Sequence, residues 1–199
     1  ANRMNYLINE LLTFSKIEMK QMRISVRKGD IMHFLEELSH IFDIVAGERE
    51  IDFIVNLEDT EEEVWFSPSK LERILYNLLS NAFKYTQPGG YVKLSAKLIK
   101  EEKGTFVQIS VKDNGRGIPK EAQEQIFESY YQVEKRDHRE GFGLGLSLTR
   151  SLIHMHKGEI RVESEINKGS DFIVTLNVSE DAYNPDARSS ENITTEEIQ

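Results

Sequence analysis

The chain has 199 residues, 39% of them hydrophobic and 30% charged, with a formal net charge of −9. That size supports one substantial domain with an appendage, and the acidic balance excludes a general nucleic-acid binder, which needs a basic face. No cysteine is present, which removes disulfides and thiolate metal sites; no apolar run reaches the about 20 residues that span a bilayer, no signal peptide is legible, and a reducing, cytoplasmic setting is the expectation.

The first stretch, NRMNYLINELLTFSKIEMKQM, carries Leu7, Ile8, Leu11, Leu12, Phe14 and Ile17 at three- and four-residue spacing. This predicts a long N-terminal helix over residues 1–22, read as the continuation of a longer one because no capping residue precedes it. Its wide apolar stripe must be buried, either on its own domain or in a helical hairpin or dimer bundle. The length of the stripe favours the second.

From residue 23 the pattern becomes mixed. MRISVRKGD alternates like a strand, and Asp30 is placed to cap a helix running to about Val45. EIDFIVNL and EVWF read as strands. Ser67-Pro68 is a helix start with a capping residue and proline at the first helical position, and the helix ends at QPGG. YVKLSAKLIK and TFVQISVKD predict a hairpin turning near Lys103-Gly104. A short helix follows Pro119, another runs from Gly145 to about His156, and GEIRVESEI with SDFIVTLNV forms a last hairpin. The layout is an α/β (α+β) two-layer sandwich over residues 23–179, with a mixed sheet and the helices on one face. The last twenty residues, 180–199, carry six acids and one arginine with little apolar content, and read as a disordered tail or linker.

Three stretches carry chemistry. In EGFGLGLSLTR, Gly141, Gly143 and Gly145 stand directly before a helix. The spacing is neither a Walker loop nor a dinucleotide fingerprint. Glycines let backbone N–H groups approach a ligand and the helix start is positive, which suits a phosphate chain; a plain flexible loop fits the residues as well. In KDNGRGIP, Asp113 ends a strand beside Gly115 and Gly117, where it can accept from an exocyclic amine while Gly117 leaves room for a planar ring. The alternative is a simple hairpin turn. Asn77, Asn81 and Lys84 stand at i, i+4 and i+7, one helical face. Carboxamide oxygens suit Mg²⁺ bridged to phosphates, and Lys84 adds a point charge; a solvated face is the plainer reading.

In order and composition these stretches resemble the N, G1, F and G2 boxes of sensor histidine kinases: Asn77–Asn81–Lys84, Asp113–Gly115–Gly117, Phe127–Tyr130 and Gly141–Gly143–Gly145. The resemblance covers about residues 4–178. It implies the Bergerat ATP-binding sandwich of the GHKL superfamily, shared with type II topoisomerases, mismatch-repair ATPases and one class of chaperones. The helix over residues 1–22 is then similar to the second helix of the family's dimerisation and phosphoacceptor hairpin.

The resemblance implies ATP and Mg²⁺ as cofactors. Asn81 is implied to ligate Mg²⁺, with Asn77 supporting the metal or the phosphates. Lys84 approaches the phosphates and Tyr85 lies against the nucleotide. Asp113 bonds the adenine amine in a pocket shaped by Gly115 and Gly117 and lined by Ile118. Gly141, Gly143 and Gly145, with Leu144 and Leu146, belong to the hinge of a lid over residues 132–143. There Arg139 is the expected phosphate contact, with Arg136 and Lys135 behind it. Phe127 and Tyr130 are expected to anchor the lid.

The departures are informative. The family's phosphorylated histidine is followed by an acid and Leu-Arg-x-Pro; His40, in LSHIFDI, lacks the acid, the arginine and the proline. His33, His138, His154 and His156 have no better context, so the phosphoacceptor is expected outside this chain. Related hydrolases carry Glu where Asn77 stands, and an amide cannot take a proton from water. Ser67 and Ser69 stand where Asp is frequent, with capping expected to survive. The implied activity is γ-phosphoryl transfer from Mg-ATP to a histidine on a separate helix, then to an Asp of a response-regulator receiver domain. The acidic tail suits a linker to such a domain. The implied full-length protein is a homodimer through the N-terminal helix, anchored in a bacterial inner membrane. A GHKL-type ATPase or serine kinase and a non-catalytic nucleotide-binding scaffold stay as alternatives.

Overall fold

The computed structural model describes residues 22–60, 62–132 and 143–189, with Ser15 beside them. The helix expected over residues 1–22 falls, but for Ser15 and Met22, outside them. Among the described residues no helix is long and apolar enough to cross a membrane.

Among residues 22–189 as described, seven strands and three α-helices follow one another: β1 (Arg27–Asp30), α1 (Ile31–Arg49), β2 (Asp52–Leu57), β3 (Glu63–Phe66), α2 (Pro68–Tyr85), β4 (Tyr91–Glu101), β5 (Gly104–Asp113), α3 (Gly145–Met155), β6 (Glu159–Glu165) and β7 (Gly169–Asn177). Five strands form one mixed sheet in the order β2-β4-β5-β7-β6. Only β2 and β4 run parallel; the other pairs are antiparallel. β1 and β3 form a separate antiparallel pair.

The strand expected over MRISVRKGD shortens to Arg27–Asp30. Its partner allows no more: Arg27 pairs with Phe66, and at Pro68 that chain has already turned into α2. The expected cap of α1 is present, with the Asp30 carboxylate accepting the His33 N–H at 3.0 Å. Arg49 extends the helix to its last residue and donates to the Phe83 carbonyl at 2.9 Å, tying α1 to α2. The capping expected of Ser67 is not realised. Its side chain makes no cap bond; the residue is buried and its N–H donates to His156 Nε2 at 3.2 Å. Pro68 alone sets the start. The short helix expected after Pro119 is two 3-10 turns, Lys120–Ala122 and Gln125–Phe127.

Strand alternation explains the layers. Val92, Leu94, Val107, Ile109, Val111, Val174 and Leu176 point one way and join Leu35, Phe42, Leu75, Leu79, Phe83, Leu148 and Leu152 of the helices in one core. The side chains between them, such as Lys93, Ser95, Lys97, Gln108 and Lys112, are half-buried or exposed. The helices therefore cover one face, as the alternation predicts. Each fully buried Leu, Ile or Phe contributes about 1.5–3 kcal/mol.

Residues 180–189 differ from expectation. They are not a loose tail: two 3-10 turns, Glu180–Ala182 and Pro185–Ala187, lie on the domain, with Tyr183 only 3% exposed. An acidic composition hid one anchoring aromatic and one arginine. Residues 190–199 lie outside the described residues.

His156 is a fully buried histidine. Its Nε2 accepts from Ser67, so Nδ1 carries the proton and donates to the Leu152 carbonyl at 3.0 Å. Burial pushes its pKa down to about 4, with the Lys70 charge adding to the drop and the Leu152 carbonyl opposing it. The folded state thus prefers neutral imidazole. Its contribution is complete above pH 6.5 and is lost as pH falls from there towards 4, a change of about 3 kcal/mol. Urea unfolding measured at pH 7 and pH 4.5 is expected to fall more for the wild type than for His156→Gln, which has no proton to gain.

Candidate nucleotide site

Helix α2 supplies the first wall. Its buried residues Leu71, Ile74, Leu75, Leu78, Leu79, Ala82 and Phe83 face the core, which leaves Asn77, Asn81 and Lys84 together on a half-buried stripe. Asn77 donates through its amide nitrogen to Thr149 Oγ1 of α3 at 2.7 Å. Its amide oxygen faces Gly145, where an added Cβ would stand 2.6 Å from it. Thr149, 1% exposed, was not singled out from the sequence. Its position one helical turn after Gly145 was the available signal. The Asn81 carboxamide makes no hydrogen bond to another described residue.

The end of β5 supplies the second wall. Asp113 is 5% exposed and accepts the Gly115 N–H at 2.8 Å. Burial pushes its carboxyl pKa up, the N–H groups of Gly115 and Ser170 pull it back, and the Asp171 charge adds to the rise. Gly115 passes so close to the Tyr85 carbonyl that a Cβ would meet it at 2.3 Å. The Arg116 N–H points at the same carbonyl, 3.4 Å away. Ile118 is half-buried against the core, and its N–H donates to Ser164 Oγ at 2.8 Å.

Tyr85 joins the two walls. Lys84 Nζ lies 3.1 Å from its hydroxyl, and the Arg116 guanidinium sits 4.3 Å from its ring centroid. Part of the ring expected to lie against a nucleotide is thus covered by Arg116. Gly117 is under a further constraint. Its φ is +71°, and a Cβ there would meet the Glu165 carbonyl oxygen at 2.0 Å. It is glycine because the backbone of β6 occupies that space, not only to admit a planar ring.

The described glycines before α3 are structural as well. Gly143, at φ +71°, packs on Tyr130 and Tyr131, and its carbonyl accepts the Tyr130 N–H at 2.9 Å. Leu144 is buried and Leu146 is half-buried against the core. Phe127 is buried edge-on to Phe172 at 6.4 Å, whereas Tyr130 is 61% exposed and holds the loop base through its backbone. Lys135, Arg136, Arg139 and Gly141 lie outside the described residues. The His40 side chain is exposed, and its Nδ1 lies 3.2 Å from the carboxylate of Asp43, three residues on in the same helix.

The family model for histidine kinase-, DNA gyrase B- and HSP90-like ATPases matches residues 66–180, which contain both walls. The chain belongs to this family. It is 34% identical over 88% of its length to histidine kinase P4 of Formosa agariphila. It is 35% identical over 91% to the sensor histidine kinase WalK of Bacillus subtilis. It spans 13% of the first and 30% of the second. The full-length structure of ShkA in complex with AMPPNP matches with a TM-score of 0.79 at 26% identity, covering 89% of this chain and 36% of that one. The fold is therefore that of a histidine-kinase ATP-binding domain.

Within this ATP-binding domain the glycines separate into two kinds. Gly117→Ala is expected to cost about 2–3 kcal/mol, since both its φ and the Glu165 backbone oppose a side chain. Gly47→Ala, inside α1 with open space around it, is expected to stabilise by about 1 kcal/mol. Denaturant midpoints of the two variants check both signs.

Proposed function

We propose that this chain binds ATP with Mg²⁺ and donates the γ-phosphoryl group to a histidine on a phosphoacceptor helix, as the catalytic part of a two-component sensor kinase. The observation that carries this reading is the junction at Tyr85. It brings a buried strand-end carboxylate, Asp113, and a carboxamide–ammonium stripe, Asn77–Asn81–Lys84, to one place. Asp113 takes the exocyclic amine of adenine, with Gly115, Gly117 and Ile118 around it. Lys84 takes phosphate oxygens. Gly143, Leu144, Gly145 and Leu146 belong to the proposed hinge of a lid over residues 132–143, for which Arg139 is the proposed phosphate contact and Gly141 a further hinge glycine.

The residues fit Mg²⁺ held chiefly by phosphate oxygens. Among the described residues no cluster of three acidic or histidine side chains stands ready to hold a metal, and Asn81 offers a hard carboxamide oxygen. The metal, when bound, neutralises charge that develops on the phosphates. Asn77 has its amide nitrogen committed to Thr149 and brings no carboxylate to activate water, which favours transfer to a protein nucleophile over hydrolysis. In the transfer an imidazole nitrogen forms the P–N bond as the bond to the ADP oxygen breaks; the enzyme contributes positioning and charge.

The acceptor of the second transfer is proposed as a receiver domain, separate or fused. The whole protein is proposed as a homodimer through residues 1–22, with this domain in the cytoplasm. Similarity to the autoinducer 2 sensor kinase/phosphatase LuxQ of Vibrio vulnificus supports a signalling role.

Calorimetry with AMPPNP is the direct test. Binding is expected in Mg²⁺, weaker in EDTA and in Asn81→Ala, and lost by at least tenfold in Asp113→Asn. Absence of binding at millimolar nucleotide would leave the scaffold reading. Labelled ATP mixed with this chain and a separate phosphoacceptor hairpin is then expected to label the hairpin; free phosphate instead would favour a hydrolase.

A further inference from the structure

The five-stranded sheet has two edges, β6 and β2, and they differ in kind. β6 carries Glu159, Arg161, Glu163 and Glu165 at alternate positions, with Arg161 paired to Glu163. Its Ser164 carbonyl accepts from Gln123 Nε2 at 2.8 Å. Charge and cover of this kind keep an edge from pairing with other chains. β2 has neither. Its sequence, DFIVNL, holds no charge after Asp52 and no proline. Ile54 is 45% exposed and Val55 38%, and among the described residues β4 is the only strand beside it.

The backbone of β2 limits what its open side can hold. The Asp52 N–H donates to the Gly90 carbonyl and the Glu58 N–H to the Ala96 carbonyl, both at 2.9 Å. By the alternation of a strand, Asp52, Ile54, Asn56 and Glu58 turn their backbone groups to β4, and Phe53, Val55 and Leu57 turn theirs outward. A row of outward N–H and C=O groups is matched by the backbone of one added strand. Apolar side chains stand on both faces of that edge. Val55 is in register with Leu94 of the core, and Ile54 is in register with Lys93 on the uncovered face.

Charge at the ends of β2 separates the occupants. Glu50 and Asp52 stand before the apolar run, and Glu58 and Asp59 after it. Among the described residues no lysine or arginine side chain pairs with any of the four. A second copy of β2, turned antiparallel with Val55 facing Val55, would set Asp52 opposite Glu58 at both ends. Like charges directly opposite weaken a strand pair, so the edge resists its own kind. A strand with lysine or arginine at its ends meets opposite charge there instead. We infer that β2 is a docking edge for an extended segment of another protein, apolar at alternate positions and basic at both ends, which joins the sheet beside it. Backbone bonding supplies the affinity, and the acidic ends select the partner. The inference uses neither the nucleotide nor the phosphoryl transfer.

Amide exchange followed by NMR on the full 199-residue chain tests the docking edge. The probe is a blocked synthetic peptide of alternating valine and threonine with lysines at both ends; its control carries glutamates in their place. In the free chain the Phe53, Val55 and Leu57 amides are expected to exchange at least tenfold faster than those of Ile54 and Asn56. Millimolar lysine-ended peptide is expected to slow the three outward amides at least tenfold, and the control to bind at least tenfold more weakly. Val55→Pro removes an outward N–H and none that β4 uses, and is expected to abolish the slowing. Ile54→Lys sets a cation against the basic-ended peptide and is expected to weaken it tenfold, which serves where the proline variant does not fold. No slowing at millimolar peptide, or equal binding of the two peptides, would overturn the inference. Outward amides already protected in the free chain would do the same. Protection that grows with protein concentration, with a dimer in sedimentation, makes the occupant a second copy; protection independent of concentration makes it a segment of this chain.

Discussion

Two backbone approaches too close for a side chain hold the site together. Gly145 sets the first turn of α3 on the Asn77 carboxamide, and Gly115 sets the Asp113 loop on the Tyr85 carbonyl. Both contacts are made by α2, one near its middle and one at its last residue. The helix that carries the polar stripe is therefore the common reference for the loop before α3 and for the strand-end carboxylate. A Cβ at Gly115 would meet the Tyr85 backbone and push on the end of α2, whereas a Cβ at Gly145 would displace the Asn77 carboxamide.

Electrostatics follow from that geometry. The chain is acidic overall, yet Lys84 and Arg116 both lie against the Tyr85 ring, which makes a local cationic surface beside a buried carboxylate. Cation–π contacts of this kind contribute about 0.5–1 kcal/mol at exposed sites; their larger effect here is to fix where the charges stand. Asp113 keeps its burial tolerable through the N–H groups that face it. At the far end of α2 a second polar junction, Ser67–His156, does the same for the start of the helix. Both ends of α2 are thus pinned by buried polar bonds, and its middle by the core.

Much of this was legible beforehand because it is local. The strands of both hairpins follow from alternation, and the caps and breakers of α1 and α2 from Asp30, Pro68 and the QPGG stretch. The Asn77–Asn81–Lys84 stripe follows from helical spacing alone, and the glycine pairs mark where backbone comes close to something. What was not legible involves residues distant in sequence. Thr149 binds Asn77 across 72 positions, and His156 binds Ser67 across 89. Arg116, between Gly115 and Gly117, has its guanidinium 4.3 Å from the Tyr85 ring centroid, a contact across 31 positions.

The sequence by itself determined the class of fold, the order of its elements and the polar stripe Asn77–Asn81–Lys84 on one helical face. Period-two and period-3.6 patterning and turn chemistry act within a few residues of each position. Only the tertiary structure decided what each glycine is for, which carboxamide atom is already bonded, and where residues 180–189 go. The reason is that a close approach, a shared hydrogen bond or a buried aromatic is a property of two segments. Tyr183 and Arg188 look ordinary in an acidic tail, yet in the fold one is buried and the other stands beside Trp65.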